Sequence, residues 1–482
     1  MKRNGFVDEA GRTAPQQIDL RALARTGTVH FVGIGGAGMS ALADLILKSG
    51  GTVTGCDVAV SRVVERLRER GANIHQGHDP SHIADAIAVV TTSAVKPDHP
   101  ELAAARARGI PVLKRAEALG ALVNEGTVVA IAGTHGKTTT TAMTAAILSE
   151  AGLDPTAFVG GLLSDRETGF HGGSESLFVV EADEYDRSFL TLRPHVVVVT
   201  SIEADHLDVY GSLDHIEAAF RELIGHVPAD GLVAACVDDA GAARLLAHAH
   251  APISGYGTGQ AATLRALDVR ADGPTMRFDL LDGDTQLGEM VLGVPGEHNV
   301  RNALGAIAAA RHLGADVESA RRALQAFAGV QRRFQRLGTA AGITVLDDYA
   351  HHPTEIVATV AAARAAFPGR RLVAAFQPHL FTRTRDFVRE FGQALAHADA
   401  VWVTEIYPAR EAPIEGVTGR LVVDAVRAAG GKARFVDDVE ALVNALAGAL
   451  GHGDVLIAMG AGSIDSAAGA VFERLRIRER EQ

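Results

Sequence analysis

The sequence predicts three successive α/β units, each a largely parallel β-sheet covered by helices. Three observations carry this expectation. At 482 residues the chain exceeds what one ordinary hydrophobic core holds, so two to four domains are expected. Short apolar runs alternate with helix-patterned stretches along almost the whole chain, punctuated by Gly or Pro, as βαβ units require. Two glycine loops, at residues 33–38 and 133–136, each stand between an apolar run and a helical stretch. The expected units are residues 1–122, 123–330 and 331–482.

In the first unit, "VHFVG", "TVTGCD" and "AIAVVTTSA" read as strands, each followed by a helix. Gly33, Gly35 and Gly38 make G-x-G-x-x-G at the first strand–helix junction, and Asp57 follows Gly38 by 19 positions. That spacing suits a Rossmann-like dinucleotide site with a ribose-binding acid. Taken alone the motif admits a nicotinamide-dependent oxidoreductase. Its physics is less specific: backbone N–H groups and a helix N-terminus can approach a pyrophosphate.

The second unit opens on "TVVAIAG" and continues through "SLFVVEADE", "PHVVVVTSIEADH" and "DGLVAACVDD". All-apolar runs of this length are expected of strands buried on both faces. Residues 253–295 turn more polar and read as a small antiparallel region, followed by the helical "HNVRNALGAIAAARHLG". The loop Gly133-Thr134-His135-Gly136-Lys137-Thr138-Thr139 lies between a buried-type strand and a helix. Its N–H groups form an anion cradle, Lys137 reaches the β/γ-phosphates, and the hydroxyl of Thr138 holds Mg²⁺. The full P-loop pattern asks for glycine at 131, where Ile131 stands. The next two strands end in acids, "EADEYD" (181–186) and "EADHLD" (203–208). Carboxylates at neighbouring strand ends face one crevice, so this P-loop, ATPase-type unit is expected to bind ATP with Mg²⁺.

The third unit repeats the alternation in "GITVLDDYA", "RLVAAFQPH", "AVWVTEIYPA", "ARFVDD" and "DVLIAMGAGS". "DDYAHHPTEI" places His351 and His352 before a helix-opening Pro353. "FQPHLFTRTRDF" places Arg383 and Arg385 at a loop–helix junction, where arginine suits a carboxylate or a phosphate.

Forty-six Lys and Arg stand against 58 Asp and Glu, a net charge of −12, which disfavours nucleic acid as a partner. Cys56 and Cys236 make no disulfide framework and no C-x-x-C pair, as in a reducing compartment. No run reaches the ~18–20 apolar residues of a membrane span, and the N-terminus has no continuous apolar segment of the secretory kind. A cytoplasmic protein without membrane insertion is expected.

Eight stretches in all three units resemble the Mur ligases of peptidoglycan synthesis: "HFVGIGGAGMS", "GTHGKTTTT", "EADEYDRSFL", "EADHLD", "GEHNVRNALGA", "QRRFQRLG", "DDYAHHPTEI" and "FQPHLFTRTRDF". The resemblance implies a UDP-substrate domain, a central ATPase domain and a C-terminal, Rossmann-like amino-acid domain. It also implies ATP-dependent amide formation through an acyl phosphate. Within the family it is nearest to the branch that joins L-alanine to UDP-N-acetylmuramate. A recycling branch that attaches a preformed tripeptide is the alternative, and a nicotinamide-dependent oxidoreductase fused to an NTPase is a remote one. The chain itself is expected to be a monomer or weak homodimer.

The site residues follow from the same resemblance. Gly35, Gly36, Ala37, Gly38, Met39 and Ser40, with Asp57, Thr92 and Ser93, would bind the UDP-substrate. Residues 133–139, with His298 and Asn299, would bind ATP. Thr138, Glu181 and His206 would hold the metal. Lys137, His206, Arg333 and His351 would be catalytic, and Tyr349, His351 and Arg383 would form the amino-acid site. Leu380, where many members have arginine, and the stretch around Pro408 and Arg410 depart from the family pattern.

Overall fold

The structure is a computed structural model that describes residues 18–92, 94–162, 169–409 and 411–481. Ser93 and Arg410 therefore lie outside the described residues. The first sheet has five parallel strands in the spatial order Asn73–Gln76, Thr52–Asp57, Thr28–Val32, Ala86–Thr91 and Val112–Lys114. Chain order reverses between Thr28–Val32 and Ala86–Thr91, and ligands of open α/β sheets bind outside the strand ends at such a reversal. Gly33 follows one of these strands and Thr92 the other, so the first glycine loop stands at the reversal.

The central sheet has ten strands. Seven consecutive strands run parallel, in the order Leu264–Asp272, Ile253–Gly257, Leu232–Cys236, Val196–Val199, Thr127–Ala132, Leu177–Glu181 and Thr156–Phe158. Their middle members are buried on both faces, as the unbroken apolar runs require. The short Phe170–His171 closes one edge antiparallel. The strands Leu264–Asp272, Thr275–Asp282 and Thr285–Leu292 form an antiparallel meander on the other edge. The antiparallel region expected at 253–295 thus begins later: Ile253–Gly257 pairs parallel with Leu232–Cys236. Only from Leu264 onward do buried and solvent-facing residues alternate, and that one-sided burial permits a meander.

The third sheet orders Gln335–Ala340, Ile343–Asp348, Val455–Met459, Leu372–Phe376, Ala400–Val403 and Ala433–Phe435, all parallel except the first. Separate apolar clusters cover its two faces.

The joints between units differ in chemistry. The helix Arg115–Val123 sends Leu119, Leu122 and Val123 into the same apolar cluster as Phe178, Phe189 and Leu192 of the central unit. Polar groups close its rim: the Asn124 amide donates to the Thr191 carbonyl at 2.9 Å and its oxygen accepts from the Arg193 N–H at 2.9 Å. The first and central units therefore share one continuous core. The third unit instead meets the central one through charged side chains around the candidate site. Among the described residues, no helix is long and apolar enough to cross a membrane.

A Cβ on Gly120 would stand 2.6 Å from the Thr191 carbonyl oxygen, a backbone atom that cannot rotate away. Gly120→Ala is expected to cost about 1–3 kcal/mol in denaturant unfolding. Gly448→Ala, in a helix with open space around it, is the control and should cost nothing.

Candidate active site

The strand Thr127–Ala132 delivers the chain to the second glycine loop, and the helix Lys137–Glu150 leaves it. Gly133 and Gly136 have φ of 130° and 80°, a left-handed backbone that favours glycine. Space demands it too: a Cβ on Gly133 would run into Thr200 Oγ1, and one on Gly136 into Asn302 Oδ1. Lys137 turns back into the loop mouth, donating to the carbonyls of Gly133 and Thr134 at 2.7 and 3.2 Å and to both oxygens of Glu184 at 3.0 and 2.8 Å. Burial opposes the charge, but Glu184 and Asp183 outweigh it and raise the lysine pKa. The ammonium is thereby kept in place and protonated.

Thr138 Oγ1 donates to Glu181 Oε1 at 2.9 Å. This hydroxyl and carboxylate form an all-oxygen pair of the kind Mg²⁺ takes. His206 behaves differently. Its backbone is left-handed, at φ 51°, its Nε2 is 3.9 Å from Asp205 Oδ2, and its ring packs edge-on against Tyr185. Its contacts are thus with Asp205 and Tyr185, not with the Thr138–Glu181 pair expected to share a metal with it.

Beside the loop lies a cavity of about 260 Å³, bounded by Gly136, Thr138 and Asn302 on the central unit and by Arg333, Asp348 and Glu355 on the third. His298 and Asn299 also line it. Burial lowers the His298 pKa to about 4, so its ring is neutral at pH 7. The Asn299 amide is already engaged, donating to the Pro295 carbonyl at 2.7 Å while its oxygen accepts from Asn302 at 3.2 Å. Its side chain secures the helix start.

Charges at the cavity rim join the two units. His135 Nδ1 lies 3.3 Å from Glu355 Oε1 and its Nε2 3.4 Å from Glu203 Oε2. Burial alone would lower its pKa; the two carboxylates prevail and raise it to about 9. The Thr354 hydroxyl donates to Glu203 at 2.7 Å, and Arg383 donates to Asp205 Oδ1 at 2.6 Å. Arg383, expected in the amino-acid site, is therefore buried as a tie between units. Arg333 lies 3.6 Å from Glu355 and, with Arg332, packs on the Tyr349 ring. His351 Nδ1 faces the Tyr349 carbonyl at 2.9 Å, and burial lowers the His351 pKa to about 4. An Nδ1–H donated to that carbonyl leaves Nε2 with its lone pair.

At the first loop, Asp57 Oδ2 accepts from the Gly35 N–H at 2.8 Å. Asp57 thus grips the loop in addition to closing the second strand. Gly36 and Ala37 are exposed at the helix start, whereas Met39 is buried in the core and Ser40 donates to the Ala37 carbonyl.

With this geometry, the chain matches three family profiles in order. Residues 28–127 match "Mur ligase family, catalytic domain", 131–310 "Mur ligase middle domain" and 332–462 "Mur ligase, glutamate ligase domain". A UDP-N-acetylmuramate–L-alanine ligase of Salinibacter ruber is 46% identical over 456 residues, covering 94% of this chain and 96% of its own. The chain belongs to the Mur ligase family. Among solved structures, the UDP-N-acetylmuramate–alanine ligase of Thermotoga maritima superposes with a TM-score of 0.79 at 30% identity, over 94% of this chain and 100% of that one. A murein peptide ligase of Psychrobacter arcticus gives 0.67 at 27% identity, over 93% and 99%.

Several residues of this Mur ligase site escape a reading by motif. Glu184 was visible only as one acid among four in "EADEYD", and Asn302 as a helix residue. Glu355, the third residue of the helix Pro353–Ala366, accepts from the N–H groups of His351 and His352 at 3.0 and 3.2 Å. Its signal was the helix-start pattern H-P-T-E, which also describes ordinary capping. Arg115 lies against Gly38, where a Cβ would come 2.9 Å from its Cδ; in sequence it is one arginine among many. Leu380, at the departure from the family pattern, has a left-handed φ of 71° and donates its N–H to the Tyr407 carbonyl at 3.0 Å.

The His135 pKa is raised above its ordinary 6.5 to about 9. Its ion pairs therefore contribute stability that is fully present below pH 6.5 and lost as pH rises through about 9. The unfolding midpoint should fall across that window, and His135→Gln should flatten the alkaline limb. A midpoint that falls equally in the variant would contradict this account.

Proposed function

We propose that the chain ligates L-alanine to the carboxylate of UDP-N-acetylmuramate, using ATP and releasing ADP and phosphate, in the cytoplasmic synthesis of peptidoglycan precursor. The observation that carries this reading is the single cavity bounded by both the phosphate loop and the third unit's Arg333, Asp348 and Glu355. A loop for phosphoryl transfer and a constellation for an amine substrate meet there. The near full-length identity to alanine ligases supports the choice of substrates.

On this reading, loop N–H groups hold the ATP phosphates, and Lys137 exchanges its loop carbonyls for phosphate oxygens. Thr138 and Glu181 would hold Mg²⁺, which offsets charge on the transferring phosphoryl. The substrate carboxylate attacks the γ-phosphate to give an acyl phosphate and ADP. The amine of alanine then attacks the acyl carbon, and phosphate leaves from the tetrahedral intermediate. His351 Nε2, with Nδ1 tied to the Tyr349 carbonyl, is the acceptor for the amine proton. Holding amine and acyl phosphate together is worth up to ~7–11 kcal/mol in favourable intramolecular cases. The first loop takes the UDP diphosphate through the N–H groups at Gly35, Gly36, Ala37 and Gly38, with Arg115 as a nearby cation. The chain acts as a monomer or weak homodimer.

The rival reading is a ligase for a preformed tripeptide, since a murein peptide ligase shares the architecture. ADP release that depends on L-alanine supports the proposal; release with the tripeptide alone sinks it. Lys137→Ala should lower turnover by about 10²–10³-fold and leave UDP-substrate binding by calorimetry unchanged. Persistent ligation in that variant would contradict the assignment of the ATP loop.

A further inference from the structure

Beneath the first glycine loop, His30, Cys56 and Glu101 converge from two strands and a helix. None is a candidate in the ligation chemistry. All three are fully buried, and one donor atom from each lies within 4.8 Å of the others. Cys56 Sγ is 2.9 Å from Glu101 Oε2 and 3.1 Å from Nδ1 of His78, whose side chain is exposed. His30 Nε2 lies 3.5 Å from the same Glu101 oxygen and has no hydrogen-bond partner. A buried nitrogen held so loosely by its carboxylate is open to a closer partner at the centre of the group.

The surroundings orient these groups as a metal's outer shell does. His30 Nδ1 is engaged by the Thr54 hydroxyl at 2.9 Å, which turns Nε2 inward. Glu101 Oε1 accepts from the Asp79 N–H at 3.0 Å and faces His82 Nδ1 at 2.9 Å, leaving Oε2 to point at the cysteine and His30. The His99 ring stands edge-on against His78 at 4.4 Å and steadies it. Bond lengths of ~2.0–2.3 Å put the ligand atoms of a tetrahedral zinc site roughly 3.3–3.8 Å apart. The Cys56–Glu101, Cys56–His78 and His30–Glu101 separations of 2.9, 3.1 and 3.5 Å need only a small adjustment, whereas His78, which does not lie within 4.8 Å of all three other groups, must swing inward from its exposed position.

We propose that His30, Cys56 and Glu101, with His78 as the fourth ligand on the solvent side, bind one Zn²⁺. Imidazole, thiolate and carboxylate suit a borderline-soft cation rather than Mg²⁺, which takes oxygen. Binding displaces the thiol proton to solvent, and the thiolate becomes the ligand. Burial and the neighbouring Glu101 push the free thiol's pKa well up, so without a cation Cys56 stays protonated. The ion would act through the backbone. The Cys56 carbonyl accepts from the Gly33 and Ile34 N–H groups at 2.9 and 3.1 Å, so fixing Cys56 stiffens the glycine loop.

The full chain, stripped with a chelator, is titrated with Co²⁺ as a spectroscopic probe and then with Zn²⁺. The expected result is one Co²⁺ per chain with a thiolate-to-cobalt charge-transfer band, bleached by one equivalent of Zn²⁺. The band should vanish in Cys56→Ser and persist in Cys236→Ser. The other two histidine–glutamate clusters among the described residues, His78–His99–Glu101 and His135–Glu203–His352, have no thiolate and cannot produce it. His78→Ala should keep the metal-free melting temperature and weaken Zn²⁺ at least ~10-fold; this exposed position carries the test if Cys56→Ser fails to fold. No charge-transfer band in the wild-type chain, a band that survives Cys56→Ser, or unchanged Zn²⁺ affinity in His78→Ala would overturn the proposal.

Discussion

A protonated imidazole between two carboxylates holds the third unit over the phosphate loop. His135 belongs to the loop itself, Glu203 to the end of a neighbouring strand, and Glu355 to the first turn of a helix in the third unit. Each carboxylate has a second duty. Glu355 accepts the N–H groups of His351 and His352, so the same side chain that receives His135 also sets the backbone at those two histidines. Glu203 holds Thr354. Removing one partner of such a half-buried pair leaves the remaining charge without its counter-charge. The third unit's wall of the cavity is therefore held to the glycine loop by this ring and its charge, beside the Arg383–Asp205 tie.

The two joints of the chain divide the mechanical work. An apolar joint, such as that of the helix Arg115–Val123 against the central unit, gains its energy from area removed from water and has no alternative partners of equal worth. The seam around His135, Arg383 and Asp205 is built from charges that water or a phosphate can also satisfy. A ligase must admit its substrates and then exclude water from the reacting centre, and a polar seam beside the cavity with a fixed apolar joint remote from it suits that chemistry.

Much of this was legible residue by residue. The runs "VVAIA" and "VVVV" read as doubly buried strands because no polar side chain interrupts them, and they occupy the middle of the central sheet. The order G-T-H-G-K-T-T read as a phosphate loop because glycine, lysine and hydroxyl occur at the spacing a helix N-terminus needs. Other residues were ambiguous in principle. Asn299 and Arg383 have side chains that suit ligands, and both are occupied with protein partners. Met39 directly follows the glycine motif and faces the core. Glu184 and Arg115 acquire meaning only from Lys137 and Gly38, their neighbours across the fold.

By itself the sequence determined which segments become strands and helices and where glycine lets the backbone turn left-handed between them. These are local matters, set by periodicity, glycine and the donors of a helix start. Only the tertiary structure decided which charges meet. Glu203 and Glu355 stand 152 positions apart and share one imidazole, while His30, Cys56 and Glu101 come from three elements to one buried point. No spacing rule spans such distances. Contacts of that kind arise from the order in which strands are laid into a sheet and from the angle at which one unit docks on the next, and neither is written in any short stretch of residues.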